Sequence, residues 1–434
     1  MNNEDVFSTS TSKFKAHNFT YFLTNRIKSS ILLFLLCSPL FIGAEWISFL
    51  YFVVIIWFIL TVPNEISQIS QGLRLVWPFI VIIFIGFMQT YAYNYNDIMK
   101  DFWYFELPIL TFMTGWVFAP SMKKNLRSRT VVLASLVNGV WFLLHLMTIE
   151  SKISINDQYG YRLEAGVLDF IVVWGSLIAL NKALNWRKLD KSWRKLTLIA
   201  LIVNPLAIVL SFSRTEYASL VIAIFFVWLP SLVRKKRLYL IVTLVIIAIC
   251  FLSITFIKMG SRDNGGFMAR MAGSVREVGS DNFDNMSDVN TRWRAYEALM
   301  GLETFRQGNL IQLMIGRGLG AKVNLGIVMH LGDSNMQNIP ILHNGYVYLL
   351  VKSGVWGLLL FLWQIRLLWY RLRIREKSTK VIDDIRLGKA ILLGTLLATL
   401  VITGPYNKGG WFSTMLILGM ILRDIRNFKL RIVA

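Results

Sequence analysis

His343 closes the one long polar stretch of the chain, in Ile341-Leu342-His343-Asn344-Gly345-Tyr346, at the lip of an apolar run. A neutral imidazole at such a boundary can take a proton from a hydroxyl group near neutral pH, which makes His343 the best general-base candidate. The plainer alternative is a structural histidine, and spacing alone leaves the two level. The other three histidines are worse placed. His17 lies in a polar N-terminal tail, His145 is expected to be buried in an apolar run, and His330 is in mid-loop.

Arginines supply the complementary chemistry. Arg214 sits in Leu210-Ser211-Phe212-Ser213-Arg214-Thr215, a turn of a few residues between two apolar runs. A guanidinium there either snorkels to lipid headgroups or marks a substrate path. The second reading is favoured, because a planar, permanently charged fork suits a diphosphate. Arg292 heads an amphipathic segment, where an exposed helix charge is the plainer reading. Arg294 is a weaker candidate of the same kind and can pair with Glu297 at i+3. Lys352 lies inside a later apolar run, where an ammonium must face protein or water.

Several chemistries have nothing to stand on. There is no His-Glu-x-x-His, no Asp-rich repeat, no paired carboxylate motif and no cysteine cluster, so neither a metal nor a cofactor is implied. Gly316-Arg317-Gly318-Leu319-Gly320 lacks the preceding strand and the spacing of a phosphate loop, and reads as a turn. Glu106 and Asp169 are acids inside apolar runs, either a proton path or counter-ions for arginines. Two isolated acids make a poor relay, which favours counter-ions.

The elements that must position these residues are apolar. The chain has 434 residues, 55% hydrophobic and only 16% charged, with a mean hydropathy of +0.53. Runs near twenty apolar residues recur along its length, the mark of transmembrane helices. Twelve candidate spans are read at 29–44, 46–62, 75–92, 103–119, 130–149, 166–181, 197–212, 216–232, 238–257, 342–365, 387–404 and 411–422. The net charge of +21 does not signal nucleic acid, because most basic residues fall in alternate loops, as membrane topology requires. The two cysteines, Cys37 and Cys250, lie inside apolar runs and read as small hydrophobes. No cleavable signal peptide is expected, since the first apolar run continues into a second without a small-residue cleavage site.

The expected architecture is an all-α polytopic membrane protein of about twelve transmembrane helices with both termini cytoplasmic. Residues 1–28 form a cytoplasmic tail, 29–257 carry helices one to nine, 342–422 carry helices ten to twelve, and 423–434 form a second tail. The segment 258–341 becomes one large outer-face loop with short helices. One is expected from Trp293 through Tyr296 and Met300, capped by Asn290 or Thr291, and another over Phe267 to Val278.

Ser213-Arg214 at a turn, Arg292 followed by Tyr296, Gly316-x-Gly318-Leu319-Gly320, His343-Asn344-x-Tyr346 and Gly354-Val355-Trp356-Gly357 together resemble the O-antigen ligase / O-antigen polymerase superfamily. The resemblance covers the chain in architecture, with its motifs mostly in 211–216 and 290–357. It implies a metal-independent membrane glycosyltransferase of the bacterial inner membrane, with its active site facing the periplasm. The donor would be a glycan on undecaprenyl diphosphate. By motif, Arg214 and Arg292 would bind the diphosphate and His343 would deprotonate the acceptor hydroxyl. Arg162, Arg294, Asn344, Tyr346 and Lys352 are supporting candidates. Lys352 stands where some ligases carry an acid, and either joins the diphosphate cradle or caps a neighbouring acid. The acceptor would be a lipid-linked repeat for a polymerase, which is favoured, or lipid A core for a ligase; membrane lipids and a chain-length regulator complete the partners. A transporter or flippase of lipid-linked sugars is the competing class, weakened by the absence of an evident inverted repeat.

Overall fold

The computed structural model describes residues 25–61, 66–149, 168–211, 213–224, 283, 289, 292–331, 334–373, 379–406 and 411–433. Arg162, the ninth span at 238–257, Cys250, the expected helix at Phe267–Val278 and the expected caps Asn290 and Thr291 lie outside the described residues.

Helices dominate: α1 (25–37), α2 (Ala44–Thr61), α3 (Ile66–Phe87), α4 (Tyr95–Ser121), α5 (Lys124–Ile149), α6 (Ile171–Leu184), α7 (Lys191–Leu210) and α8 (Arg214–Ile222) precede the long polar stretch. That stretch holds α9 (Trp293–Arg306), α10 (Leu310–Ile315) and a hairpin of β1 (Val323–Leu331) with β2 (Ser334–Ile339). The chain ends in α11 (Gly345–Arg371), α12 (Thr379–Ile402) and α13 (Phe412–Val433). By length and composition, segments of α3, α5, α7, α11 and α12 suffice to cross a membrane. α4 is long enough too, but Asp97, Lys100, Asp101 and Glu106 crowd its first half.

The antiparallel hairpin corrects the expectation of helices alone in the loop. Gly332-Asp333 between two short runs is a hairpin signal. The irregular alternation of Val323-Asn324-Leu325-Gly326-Ile327 obscured it, and the register indeed shifts between Asn324 and Met329. His145 also departs from expectation: it lies on an exposed helix face rather than in the core. Cys37 is buried as read.

Small residues let the central helices touch. A Cβ at Gly115 of α4 would strike the carbonyl of Leu416 in α13, and one at Gly419 would strike that of Phe112. Such close backbone approach is how helices gain contact where lipid removes the hydrophobic drive. Around that seam Phe105, Phe79, Phe361 and Tyr406 form an aromatic cluster, with Phe105 and Tyr406 centroids 4.7 Å apart.

α11 is broken. Gly354 has φ 67° and ψ −166° inside it, a conformation that glycine adopts without strain. Tyr346 and Phe361, fifteen residues apart, would be separated by roughly 22 Å along a straight helix; their ring centroids lie 6.0 Å apart. The helix therefore folds back as a short arm, 345–353, against a long arm, 355–371. The break leaves the carbonyls of Val351 and Lys352 without helical donors. The Gly316–Gly320 turn supplies them: Arg317 N reaches Val351 O at 2.7 Å and Gly318 N reaches Lys352 O at 3.1 Å. A Cβ on Gly316 would collide with the Lys352 backbone, and one on Gly318 with that of Gln89.

Beside the break, Lys352 is 1% exposed and pairs with Asp101, which is fully buried. Its ammonium also donates to Ala321 O at 2.5 Å. Asp101 accepts further from Tyr348 Oη at 2.8 Å and Gly320 N at 2.6 Å. The pair thus ties α4, α11 and the loop at one point. Removing one partner of a buried pair strands the other charge, at about 3–5 kcal/mol. Lys352→Met should therefore lower the melting temperature of purified protein sharply, and Lys352→Met/Asp101→Asn should recover much of the loss. A single variant melting like wild type would show that the pair does not hold the break.

Candidate functional site

α9 docks on the start of α11. A Cβ on Gly301 would press on the side chains of Leu342 and Val347, so the glycine lets the α9 surface sit close on the segment 342–347. Tyr296, one turn before Met300, sends its hydroxyl to Leu325 O at 2.5 Å and fastens α9 to β1. Burial pushes its phenol above the usual range, which keeps it a donor.

That docking brings Glu297 to His343. Glu297 is 1% exposed; its Oε2 lies 2.6 Å from His343 Nδ1, and its Oε1 accepts from His343 N at 3.2 Å. The histidine side chain itself stays 45% exposed. A carboxylate on Nδ1 selects the tautomer that carries its proton there and leaves the Nε2 lone pair facing outward. This is how a base is oriented and its imidazolium stabilised once it accepts a proton.

The other side of the His343 segment is held by the end of α12. Thr403 N donates to His343 O at 2.5 Å, and Thr403 Oγ1 donates to Leu342 O at 2.7 Å. Thr403 has φ 68°, the one positive value outside glycine among the described residues. A β-branched residue there is strained, and such strain persists only where surrounding contacts over-determine it. Gly345 is pressed against Thr399 and Thr403, where a Cβ would not fit.

The remaining sequence candidates separate by role. Asn344 is the N-cap of α11, accepting from Tyr346 N at 3.1 Å and Val347 N at 3.2 Å. Tyr346 donates to Leu396 O at 2.9 Å. Both hold the short arm in place. Lys352 pairs with Asp101, the acid partner of one of its two readings. Arg292 occupies the N-cap of α9, its guanidinium 4.8 Å from the Phe283 ring centroid. It lies five residues before Glu297, about 7.5 Å along the helix. Glu297, expected as a partner for Arg294, directs its carboxylate to His343.

Arg214 opens α8. The helix packs on α12, where Ser219 approaches Gly394, so α12 touches both the Arg214 helix and the His343 segment. Glu216, in the first turn of α8, is 1% exposed and accepts from Ser211 Oγ at 3.0 Å. Asp169, read as a counter-ion, accepts through Oδ1 from Ile171 N at 2.7 Å and Ser413 Oγ at 2.6 Å. Among the described residues, no group of three or more His, Cys, Asp and Glu side chains could hold a metal.

The sequence reading missed Glu297 as a site residue. Its signal was an acid on the face shared by Trp293 and Gly301, four residues to either side, where an amphipathic helix should be apolar. Thr403 carries no comparable sequence signal.

Residues 197–362 match the family model described as O-antigen ligase. This supports the resemblance to the O-antigen ligase / O-antigen polymerase superfamily. The matched segment contains Arg214, Arg292, Glu297, His343 and Lys352; Asp101 and Thr403 lie outside it. No curated protein matches the chain.

If Glu297 orients His343, Glu297→Gln keeps an acceptor for Nδ1–H but removes the charge. Its kcat should fall about 10-fold or more with KM little changed, and His343→Ala should lose about 10²–10⁴-fold. Equal kcat in Glu297→Gln and wild type would exclude the orienting role.

Proposed function

We propose that this chain, taken as a member of the O-antigen ligase / O-antigen polymerase superfamily, is a membrane glycosyltransferase acting on a glycan carried by undecaprenyl diphosphate. The observation that carries the reading is the His343–Glu297 dyad, with a half-exposed imidazole held between α9 and the end of α12. It sits inside the segment that matches the family.

In the proposed reaction His343 Nε2 takes the proton from an acceptor sugar hydroxyl. The acceptor oxygen attacks the anomeric carbon of the donor, the new glycosidic bond forms, and the bond to the diphosphate oxygen breaks. Undecaprenyl diphosphate leaves with the electron pair. Glu297 stabilises the imidazolium, while Arg292 and Arg214 take the developing charge on the diphosphate. Fixed cations aimed at a leaving group act without solvent reorganisation, which is the largest contribution most such sites make. No step in this scheme draws on a metal ion. Arg162 is retained as a supporting contact with the donor.

The acceptor is proposed to be a lipid-linked repeat, making the enzyme a polymerase at the periplasmic face of the inner membrane. Ligation to lipid A core is the alternative. The donor half of the reaction is common to both, so the dyad serves either.

Surface polysaccharide from cells lacking the gene distinguishes them. Lipid A core bearing a single repeat identifies the polymerase, and bare core with long chains left on the carrier identifies the ligase. An unchanged ladder would reject both and return the transporter. His343→Ala, made at normal levels, should reproduce the null ladder. Arg214→Ala and Arg292→Ala should each reduce kcat/KM for the diphosphate donor about 10²–10³-fold.

A further inference from the structure

At the end of the bundle opposite His343, four cations converge on one cavity. α3 meets the polar loop at Gly86, and its other end carries Gln71 and Arg74. α11 begins at the dyad and ends at Arg371. These residues, with Arg426 and Lys429 of α13, line a cavity of about 220 Å³ floored by Trp116. Among the described residues its lining contains no aspartate or glutamate.

Basic residues at one face of a membrane protein are ordinary when they are dispersed in solvated loops. These are not dispersed, and a neighbouring cavity at the same end shows the contrast. There Lys124 pairs with Asp384 at 2.5 Å and Arg127 pairs with Asp424. In the four-cation cavity Arg426 keeps Nη1 buried without a hydrogen-bond partner among the described residues, and so does the Gln71 side-chain oxygen. Burial, and then repulsion from Arg371, holds both the Arg426 guanidinium and the Lys429 ammonium below their usual ranges. Like charges gathered in a partly buried space repel unless an anion joins them.

The size and surroundings narrow the anion. About 220 Å³ is below the span of sites that enclose a drug-sized ligand, yet ample for a phosphate. Guanidinium forks bind phosphate oxygens in pairs. Leu73 and Trp77 of α3 and Tyr370 of α11 stand exposed beside Arg74 and Arg371, giving apolar surface for acyl chains. Basic pockets between helices on the cytoplasmic side are where anionic headgroups settle.

We propose that the Arg74–Arg371–Arg426–Lys429 cavity is a phosphate-binding site, filled in the membrane by the headgroup of an anionic lipid. The site is separate from the dyad and stands whether or not the glycan-transfer reading does.

The test uses full-length protein in detergent, with melting temperature read against added phosphatidylglycerol, phosphatidylcholine of the same chains, or inorganic phosphate at constant ionic strength. Phosphatidylglycerol should raise the melting temperature by several degrees over phosphatidylcholine. Inorganic phosphate giving the same rise by itself would support the site but assign it to a soluble phosphate. Arg371→Gln/Arg426→Gln should abolish the rise, and Arg371→Gln, at an exposed helix end, should lose part of it. Without added ligand the double variant should melt no lower than wild type, because repulsion is relieved. Arg187→Gln/Lys188→Gln, in the exposed turn Trp186–Lys188, should keep the full rise. The proposal is overturned if neither phosphatidylglycerol nor phosphate shifts the wild type, if the double variant keeps the shift, or if the Arg187/Lys188 variant loses as much.

Discussion

The break in α11 at Gly354 governs how the polar loop and the apolar bundle become one structure. A continuous helix would carry the residues after His343 away from it in a straight line. With the break, the short arm 345–353 folds against the long arm, and Tyr346 meets Phe361. The fold-back frees two carbonyls, and the Gly316–Gly320 turn caps them with its own amides. Three glycines in that turn have positive φ, which frees the backbone to lie against α11, α3 and α4. A turn whose glycine spacing superficially suggests a nucleotide loop is instead a plug for a broken helix.

The same junction explains two charged residues placed far from solvent. Lys352 and Asp101 are fully enclosed, and their pairing is satisfied further by Tyr348, Gly320 and Ala321. Buried pairs rarely add net stability over apolar residues of the same shape, but breaking one is costly, and they can specify one arrangement over others. Here the arrangement specified is the seating of the loop on the bundle. From that seating follow the docking of α9, the approach of Glu297 to His343, and the anchoring of the opposite side by a strained threonine at the end of α12. His343 is thereby held from two directions, its ring by Glu297 and its backbone by Thr403, while the side chain stays half-exposed.

Charge is treated differently at the two ends of the bundle. At the dyad an acid and a base meet, and Arg292 occupies the N-cap position of the helix that carries the acid. At the far end one cavity balances its lysines and arginines with aspartates, whereas the next gathers four cations around a tryptophan with no acid among the described residues of its lining. Position along the sequence does not distinguish these two clusters; both read as the basic loops expected of a membrane protein. Their difference is which helix ends the fold brings together.

Much of the helical frame was legible because apolar length and periodicity are local properties. The runs at 130–149 and 387–404 overlap the helices Lys124–Ile149 and Thr379–Ile402, and Trp293–Tyr296–Met300 spacing marked the helix that begins at Trp293. The residue types at the loop boundary also singled out His343 without a partner in view. What the sequence could not contain was pairing across distance. Glu297 lies 46 residues before His343 and Asp101 lies 251 before Lys352, and no periodicity links such positions. The hairpin at 323–339 was hidden by a bulged register, and the strain at Thr403 exists only because the His343 segment is already there to bond it. Composition and spacing determined that the chain builds apolar helices around one chemically equipped loop. The tertiary structure alone decided which acid serves the histidine, which lysine is neutralised, and where cations are left facing one another.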